Sequence, residues 1–238
     1  MSWAYPRIVA HRGGGSLAPE NTLGAIRTGA ARGFRGVEFD VMLAGDATPV
    51  LIHDETTERT TGVKGEVAKL SLVQLQELNA GKNEKIPSFR QAAELCRSLG
   101  VWANVEIKPA KGYERETGEA VARMARELWR DAALQPVLSS FSVAALEAAR
   151  AAAPEAALGY LVDEIPPGWQ TVMQRLQCVS LHCNQKKLTQ DQAKDAIGAG
   201  YGLLCWTVNE IAAAQRLFGW GVDCLVTDAL DVIGPEFR

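Results

Sequence analysis

The sequence lacks the features that mark membrane, secreted and disulfide-stabilised proteins. Its 238 residues contain five cysteines, and none of them forms a CxxC pair. No apolar run approaches the roughly 20 residues that a membrane span requires. The N-terminus shows no basic stretch followed by an apolar run, so we expect no signal peptide and no stable membrane insertion. This pattern predicts that the cysteines are reduced thiols in the core of a cytoplasmic protein.

The chain also lacks an excess of positive charge. Its formal net charge is −3 at pH 7, and its basic residues form no stripe. Nucleic-acid-binding domains usually carry such an excess, so we expect no nucleic-acid partner. Hydrophobic residues (47%) and charged residues (22%) occur in ordinary globular proportions. The length is close to the roughly 250 residues of a single (β/α)₈ barrel, although two small domains would also fit.

Short apolar runs alternate with amphipathic segments along the chain, which predicts an α/β fold with a parallel sheet. The runs predicted as strands are 7–11, 36–41, 49–53, 101–107, 136–141, 157–162, 178–182, 202–208 and 224–227. The segments predicted as helices are 22–31, 88–99, 114–129, 143–153, 190–199 and 210–218. Nine strands fit an eight-stranded TIM barrel if the run at 50–52 is an extra hairpin partner. A doubly wound open sheet is the alternative.

One polar interval breaks this rhythm. Residues from about 55 to 86 are rich in threonine, glycine and lysine, with one short helix candidate at 72–78. We interpret the interval as a small insertion after the strand that ends at His53, within a single barrel domain spanning residues 1–238. Long insertions of this kind usually lie over active sites or are disordered.

Three carboxylates interrupt strongly apolar runs, where an unpaired charge is costly. Glu38 and Asp40 lie two residues apart and therefore on one face of a strand, and Glu106 lies near the end of the 101–107 strand. In a barrel, chemistry gathers at the carboxyl ends of the strands. A site rich in oxygen ligands favours one hard divalent ion, Mg²⁺ or Ca²⁺. The alternative is a buried ionic network with Arg12 and Lys108.

Two of the three histidines end predicted strands and are followed directly by a charged residue. His11 and His53 suit a pair that takes a proton from a nucleophile and gives one to a leaving alkoxide, because the unperturbed histidine pKa is about 6.5. His182 has no such neighbours in sequence, and we place it at the top or in the core of the barrel. Arg12 and Lys108 offer positive charge that stabilises an anionic phosphodiester and its transition state.

The segment after Arg12 carries weaker signals. A triple glycine at 13–15 could approach a phosphate closely, but such a run is more often a flexible turn. Asn21 and Thr22 are both good candidates for the N-cap of the following helix, and we give Asn21 that role.

Five segments together resemble the glycerophosphodiester phosphodiesterase family. They are HRG at 11–13 with PENT at 19–22, VEFDV at 37–41 with PVLIHD at 49–54, NVEIK at 104–108, WTVN at 206–209 and VTD at 226–228. Their order and spacing agree with the family across nearly the whole chain. Because no signal peptide is recognisable, the sequence resembles the cytosolic branch of that family.

The resemblance implies a (β/α)₈ barrel that binds one divalent ion and a small-molecule glycerophosphodiester. It implies metal binding by Glu38, Asp40 and Glu106, acid and base roles for His11 and His53, and phosphate binding by Arg12 and Lys108. Trp206 would line the glycerol pocket, unless it is a core aromatic, and Phe141 is a weaker candidate for the same wall. The oligomeric state and the choice between Mg²⁺ and Ca²⁺ stay open.

The implied reaction releases sn-glycerol 3-phosphate and an alcohol of open identity. One histidine would deprotonate the glycerol 2-hydroxyl for attack on phosphorus, the other would protonate the departing alcohol, and water would then open the cyclic phosphate. Direct attack by a metal-bound water would use the same residues. Rival functions are a related phospholipase acting on lysophospholipids, a barrel lyase or isomerase with Lys108 as base, and a non-catalytic binding module.

Overall fold

Nine strands form one sheet in the computed structural model, which describes residues 3–237. Their bounds are β1 Ile8–Ala10, β2 Gly36–Leu43, β3 Pro49–Leu51, β4 Trp102–Ile107, β5 Val137–Ser140, β6 Ala157–Val162, β7 Ser180–Asn184, β8 Gly202–Trp206 and β9 Cys224–Thr227. All but one run parallel to their neighbours. The exception is β3, which pairs antiparallel with the end of β2.

The sheet closes on itself, because β1 pairs with both β2 and β9. Eight parallel strands therefore form a barrel, and β3 is the extra hairpin partner that the strand count required. The prediction of a (β/α)₈ TIM barrel is confirmed, and the open doubly wound sheet is excluded by this closure.

Helices fill the connections between the strands. Their bounds are α1 Leu23–Ala31, α2 Glu58–Thr61, α3 Leu72–Glu77, α4 Phe89–Leu99, α5 Glu114–Leu128, α6 Val143–Ala152, α7 Trp169–Leu176, α8 Gln190–Gly198 and α9 Ile211–Gly219. Helix α7 was not predicted from the sequence, although Trp169, Met173 and Leu176 are buried on one face of it. It is a short helix that begins directly after a Pro-Pro-Gly turn, which masked its period.

Side chains on each strand alternate between two cores. Ile8 and Ala10 belong to the large outer core against the helices, whereas Val9 belongs to a small core inside the barrel. Aromatic residues fill the inner core at the amino ends of the strands, where Tyr5 packs on Trp102 with ring centroids 4.8 Å apart. The barrel interior is therefore filled at that end, and its free space lies towards the carboxyl ends.

The segment between β3 and α4 is ordered by a core of its own. Val67, Leu75 and Ile86 are buried there against the end of β2. The Glu84 carboxylate also accepts a hydrogen bond from Gly24 N in the first turn of α1. The segment therefore contacts both the β2–β3 hairpin and α1.

Two general expectations can be compared with the structure. All five cysteines are buried free thiols, as predicted. Among residues 3–237, no helix combines the length and the apolar character needed to cross a membrane.

Candidate active site

A cavity of about 290 Å³ opens at the carboxyl ends of the strands. The structure brings all nine predicted site residues to its wall: His11, Arg12, Glu38, Asp40, His53, Glu106, Lys108, Phe141 and Trp206. The cavity lies where a barrel of this class usually carries its chemistry. Its depth follows from the filled amino end of the barrel.

The three carboxylates form one cluster at the mouth of the inner barrel. Glu38 and Asp40 point inwards from β2, and Glu106 is the direct neighbour of Asp40 on β4. One carboxylate oxygen from each residue lies within 4.8 Å of the others. Such an oxygen set is suited to a hard divalent cation.

Two cationic side chains already approach this cluster. Lys108 Nζ lies 3.3 Å from Glu106 Oε1 and 3.5 Å from Asp40 Oδ1. Arg12 Nε lies 3.7 Å from Asp40 Oδ2, while Arg12 N donates to Glu38 Oε2 at 3.0 Å. Both predicted phosphate-binding residues therefore stand at the edge of the acidic cluster.

Burial opposes the negative charge of two of the three carboxylates. Burial, with help from the Asp40 charge, raises the pKa of Glu38 to about 7 and that of Glu106 to about 8. Burial also acts to raise the pKa of Asp40, but Lys108, His53 and Arg12 outweigh it and lower that pKa. Additional positive charge would therefore stabilise the ionised forms of Glu38 and Glu106, and the donor set fits a divalent cation.

Asn21 supports this cluster and does not cap a helix, so the predicted capping role was wrong. Its side chain donates to Asp40 Oδ2 at 2.8 Å and accepts from Asp40 N at 3.1 Å. The N-cap of α1 is Thr22, whose hydroxyl accepts from Ala25 N. The φ of Asn21 is 57°, and in that left-handed conformation the side chain faces β2.

His11 forms a pair with an aspartate from the other end of the chain. Its Nδ1 lies 2.6 Å from Asp228 Oδ1, which leaves Nε2 free to face the cavity, 3.8 Å from Glu38 Oε2. Burial acts to lower the pKa of His11, but Asp228 and Glu38 outweigh it and raise that pKa. Asp228 is held in turn by Asn209, which accepts from its backbone N–H at 2.8 Å.

The loop after His11 also bears on Asp228. Ser16 N donates to the Asp228 carbonyl at 2.9 Å. A side chain at Gly15 would collide with that carbonyl, at 2.3 Å, and the φ of Gly15 is 54°. This glycine therefore permits a close backbone approach to the end of β9.

His53 forms a second pair of the same kind. Its Nδ1 lies 2.6 Å from Asp54 Oδ1, and Lys108 Nζ lies 2.8 Å from its Nε2. Burial lowers the pKa of His53 despite the nearby Asp40 charge. An aspartate on Nδ1 fixes the tautomer of each histidine, so each presents Nε2 to the cavity.

The opposite side of the cavity is aromatic. Phe141 and Trp206 meet edge to face with ring centroids 5.6 Å apart, and Phe141 is 44% exposed. Trp206 Nε1 and Arg12 Nε are buried and have no hydrogen-bond partner among the described residues. Two donors that lack a hydrogen-bond acceptor at the cavity wall fit a polar ligand that enters beside an apolar surface.

The third histidine lies deeper and has a different setting. His182 is fully buried on the cavity floor, with its Nε2 2.8 Å from Ser180 Oγ. Burial lowers its pKa to about 3, which keeps it neutral. Among the described residues, no carboxylate pairs with it, in contrast to His11 and His53.

Sequence patterns assigned no role to several residues of the site. Asp54 and Asp228 form hydrogen bonds with the Nδ1 atoms of His53 and His11. Each aspartate directly follows a residue that ends a strand or strand-like run. That position was a usable signal. Glu20 belongs to the PENT segment, but its spacing did not reveal its contact with Arg59, and Arg59 lies outside the five segments.

Comparisons with known proteins agree on one family. The sequence model described as the glycerophosphoryl diester phosphodiesterase family matches residues 11–232. A glycerophosphodiester phosphodiesterase from Caldanaerobacter subterraneus subsp. tengcongensis is 29% identical, over 93% of each chain. An Oleispira antarctica phosphodiesterase, solved in complex with the product sn-glycerol-3-phosphate, is 36% identical over 94% of each chain, with a TM-score of 0.89.

A glycerophosphodiester phosphodiesterase structure from Thermotoga maritima adds support for the fold. It is 23% identical, covers 97% of each chain and has a TM-score of 0.79. At that identity the likeness extends to the fold alone. Taken with the family match, these likenesses confirm the resemblance drawn from the five sequence segments.

Proposed function

Because the chain belongs to the glycerophosphoryl diester phosphodiesterase family and is an enzyme of that class, we propose that it hydrolyses glycerophosphodiesters to sn-glycerol 3-phosphate and an alcohol. One observation carries the proposal. Two histidines, each oriented by an aspartate, face one cavity that also holds an acidic cluster and two cationic side chains. The product bound to the Oleispira antarctica relative supports the same substrate class.

We propose that Glu38, Asp40 and Glu106 hold one divalent ion, Mg²⁺ or Ca²⁺. When bound, the ion would supply positive charge to the phosphoryl oxygens and to the nucleophile. Arg12 and Lys108, at the edge of the cluster, would bind the phosphate anion. Lys108 would then exchange part of its contact with Glu106 and Asp40, and its hydrogen bond to His53 Nε2, for the substrate.

His53 fits the role of general base. Lys108 Nζ donates to His53 Nε2, so that nitrogen carries a lone pair, while Nδ1–H donates to Asp54. His53 Nε2 would take the proton of the glycerol 2-hydroxyl as that oxygen attacks phosphorus.

His11 fits the role of general acid. Its Nε2 faces the Glu38 carboxylate, an arrangement in which Nε2 carries a proton. That proton would pass to the alkoxide as its bond to phosphorus breaks. The roles would reverse when water opens the cyclic phosphate to sn-glycerol 3-phosphate.

We propose further that Trp206 and Phe141 form the wall against the glycerol carbons, since they are the apolar side of the cavity mouth. Residues 1–238 would form one barrel domain, with 55–86 as an insertion. The cytoplasmic location stays a prediction, supported by five free thiols.

The test is an assay of the purified protein with glycerophosphocholine and glycerophosphoethanolamine, each with Mg²⁺, Ca²⁺ or EDTA. A coupled dehydrogenase reaction measures sn-glycerol 3-phosphate. We expect release from both substrates with a divalent ion and none with EDTA. Failure to release it under any condition, with lysophospholipids cleaved instead, would assign the protein to the rival phospholipase class.

A further inference from the structure

The segment between β3 and α4 contributes one side chain that reaches back to the site. Arg59 lies in α2 and donates through three of its nitrogens. Nε donates to Asp54 Oδ2, while Nη1 and Nη2 donate to the two carboxylate oxygens of Glu20 at 2.8 and 2.7 Å. Arg59 is not among the described residues that line the cavity.

Each of these carboxylates holds a residue that does line the cavity. The second oxygen of Asp54 lies 2.6 Å from His53 Nδ1. Glu20 Oε1 also accepts from Arg12 Nη1 at 2.7 Å. A single guanidinium thus joins the partner of the proposed base to the partner of the proposed phosphate ligand.

The placement of this guanidinium argues against a role in stability alone. Arg59 is about half exposed, and its partners Glu20 and Asp54 are about one quarter exposed. Ion pairs at such exposure contribute little to the free energy of folding, because solvent screens them and the long side chain loses entropy. A planar bidentate contact, however, fixes direction as well as distance. The geometry therefore constrains where Asp54 and Glu20 point.

We infer that Arg59 is a positioning residue, which sets the orientation of His53 through Asp54 and of Arg12 through Glu20. The inference rests on the proposed function of the cavity. It gives the 55–86 segment a task, since α2 carries Arg59 to a point between two residues of the site. Arg59 itself is not part of the described cavity wall, and its ion pairs are with Glu20 and Asp54, outside the acidic cluster.

The first test compares Arg59→Ala and Arg59→Lys with the wild-type protein in the glycerophosphocholine assay. We expect Arg59→Ala to lower kcat roughly 10- to 100-fold and to raise KM, because both the base and a phosphate ligand lose alignment. Arg59→Lys should recover only a small part, since one ammonium cannot serve both carboxylates in a plane. Added guanidinium ion should restore activity to Arg59→Ala.

The matched control is Lys69→Ala. Lys69 forms an ion pair with Glu66 at 2.8 Å in the same segment, is well exposed, and is not among the residues that line the cavity. We expect unchanged kcat and KM for this variant, and thermal melting of all variants within a few degrees of the wild type. Wild-type kcat and KM in Arg59→Ala, or a loss matched by Lys69→Ala, would overturn the inference.

A second readout does not depend on turnover. The chain has only three histidines, so their ring ¹⁵N shifts can be assigned by NMR. In Arg59→Ala we expect the His53 shifts to move away from a single Nδ1–H tautomer, while those of His182, bonded to Ser180, stay fixed. Unchanged His53 shifts would refute the positioning role. A wild-type protein without phosphodiesterase activity, but with this shift in the variant, would refute the proposed function alone.

Discussion

The variant Glu106→Gln tests whether the acidic cluster is a metal site or a structural ionic network. If the acidic cluster exists to hold a cation, burying Glu106 costs stability in the metal-free protein, and removing its charge should stabilise the fold. If the cluster is instead an ionic network with Lys108, removing one partner should destabilise it. The glutamine keeps the size of the side chain and an acceptor for Lys108 Nζ, which lies 3.3 Å from Glu106 Oε1.

The magnitude follows from the raised pKa of Glu106. Burial and the Asp40 charge raise it from 4.5 to about 8, so the folded protein resists ionisation of this group at neutral pH. The raised pKa takes no stability from the folded state below pH 4.5, where Glu106 is protonated in both states. The loss of stability grows as the pH rises to about 8. At pH 7 the cost is roughly 3 kcal/mol. The variant should be more stable than the wild type by that order at pH 7, and equal to it near pH 4.

The assay is urea unfolding at pH 4, 5.5 and 7 in EDTA, followed by circular dichroism, with Glu127→Gln as control. Glu127 is an exposed carboxylate paired with Arg90, and its removal should change neither stability nor activity. Magnesium should stabilise the wild type more than Glu106→Gln, because the ion binds the folded state through this ligand. A Glu106→Gln protein less stable than the wild type at pH 7 in EDTA would refute the reasoning.

Three further predictions concern the histidines and the cation. His11→Gln and His53→Gln should each lower kcat by about 100-fold or more with unchanged circular dichroism, and near-full activity in both would contradict acid–base catalysis. Because burial lowers the pKa of His182 from 6.5 to about 3, the folded state stays neutral while the unfolded chain takes up a proton below pH 6.5. The wild type should therefore lose roughly 3 kcal/mol of stability between pH 8 and pH 4.5 through His182, and His182→Asn should lack that loss in urea unfolding. An equal dependence of stability on pH in both proteins would exclude this cause. Magnesium binding at pH 7 should release protons from Glu38 and Glu106, because their pKa values are about 7 and about 8. Calorimetry in buffers of different ionisation enthalpy measures that release, and equal binding heats in all buffers would contradict it.

The parts of the site that the sequence predicted share a local cause. Side-chain direction alternates along a strand, so Glu38 and Asp40 had to share a face. Glu106 belongs to another run, but the carboxyl ends of parallel strands meet at one end of a barrel. Position relative to a strand end was therefore enough to bring these carboxylates together with His11.

The missed parts depend on contacts between distant segments. Asp228 lies 217 residues from His11, and only the closure of β9 onto β1 makes them neighbours. Asn21 had a good local alternative as a helix cap, and a backbone φ of 57° decided against it. No local pattern distinguishes Asn21 from Thr22 in that respect, because both residues favour N-caps.

The two histidines are thus oriented by different parts of the fold. His11 depends on barrel closure, since Asp228 follows the strand that completes the ring. His53 depends on its own neighbour Asp54, which Arg59 ties to Glu20. A closed barrel tolerates little displacement of one strand without loss of the ladder bonds on both sides, whereas a short helix on a connecting segment has fewer contacts to lose. The orientation of His53 is therefore the more sensitive of the two to local change, and the segment that carries Arg59 limits that sensitivity.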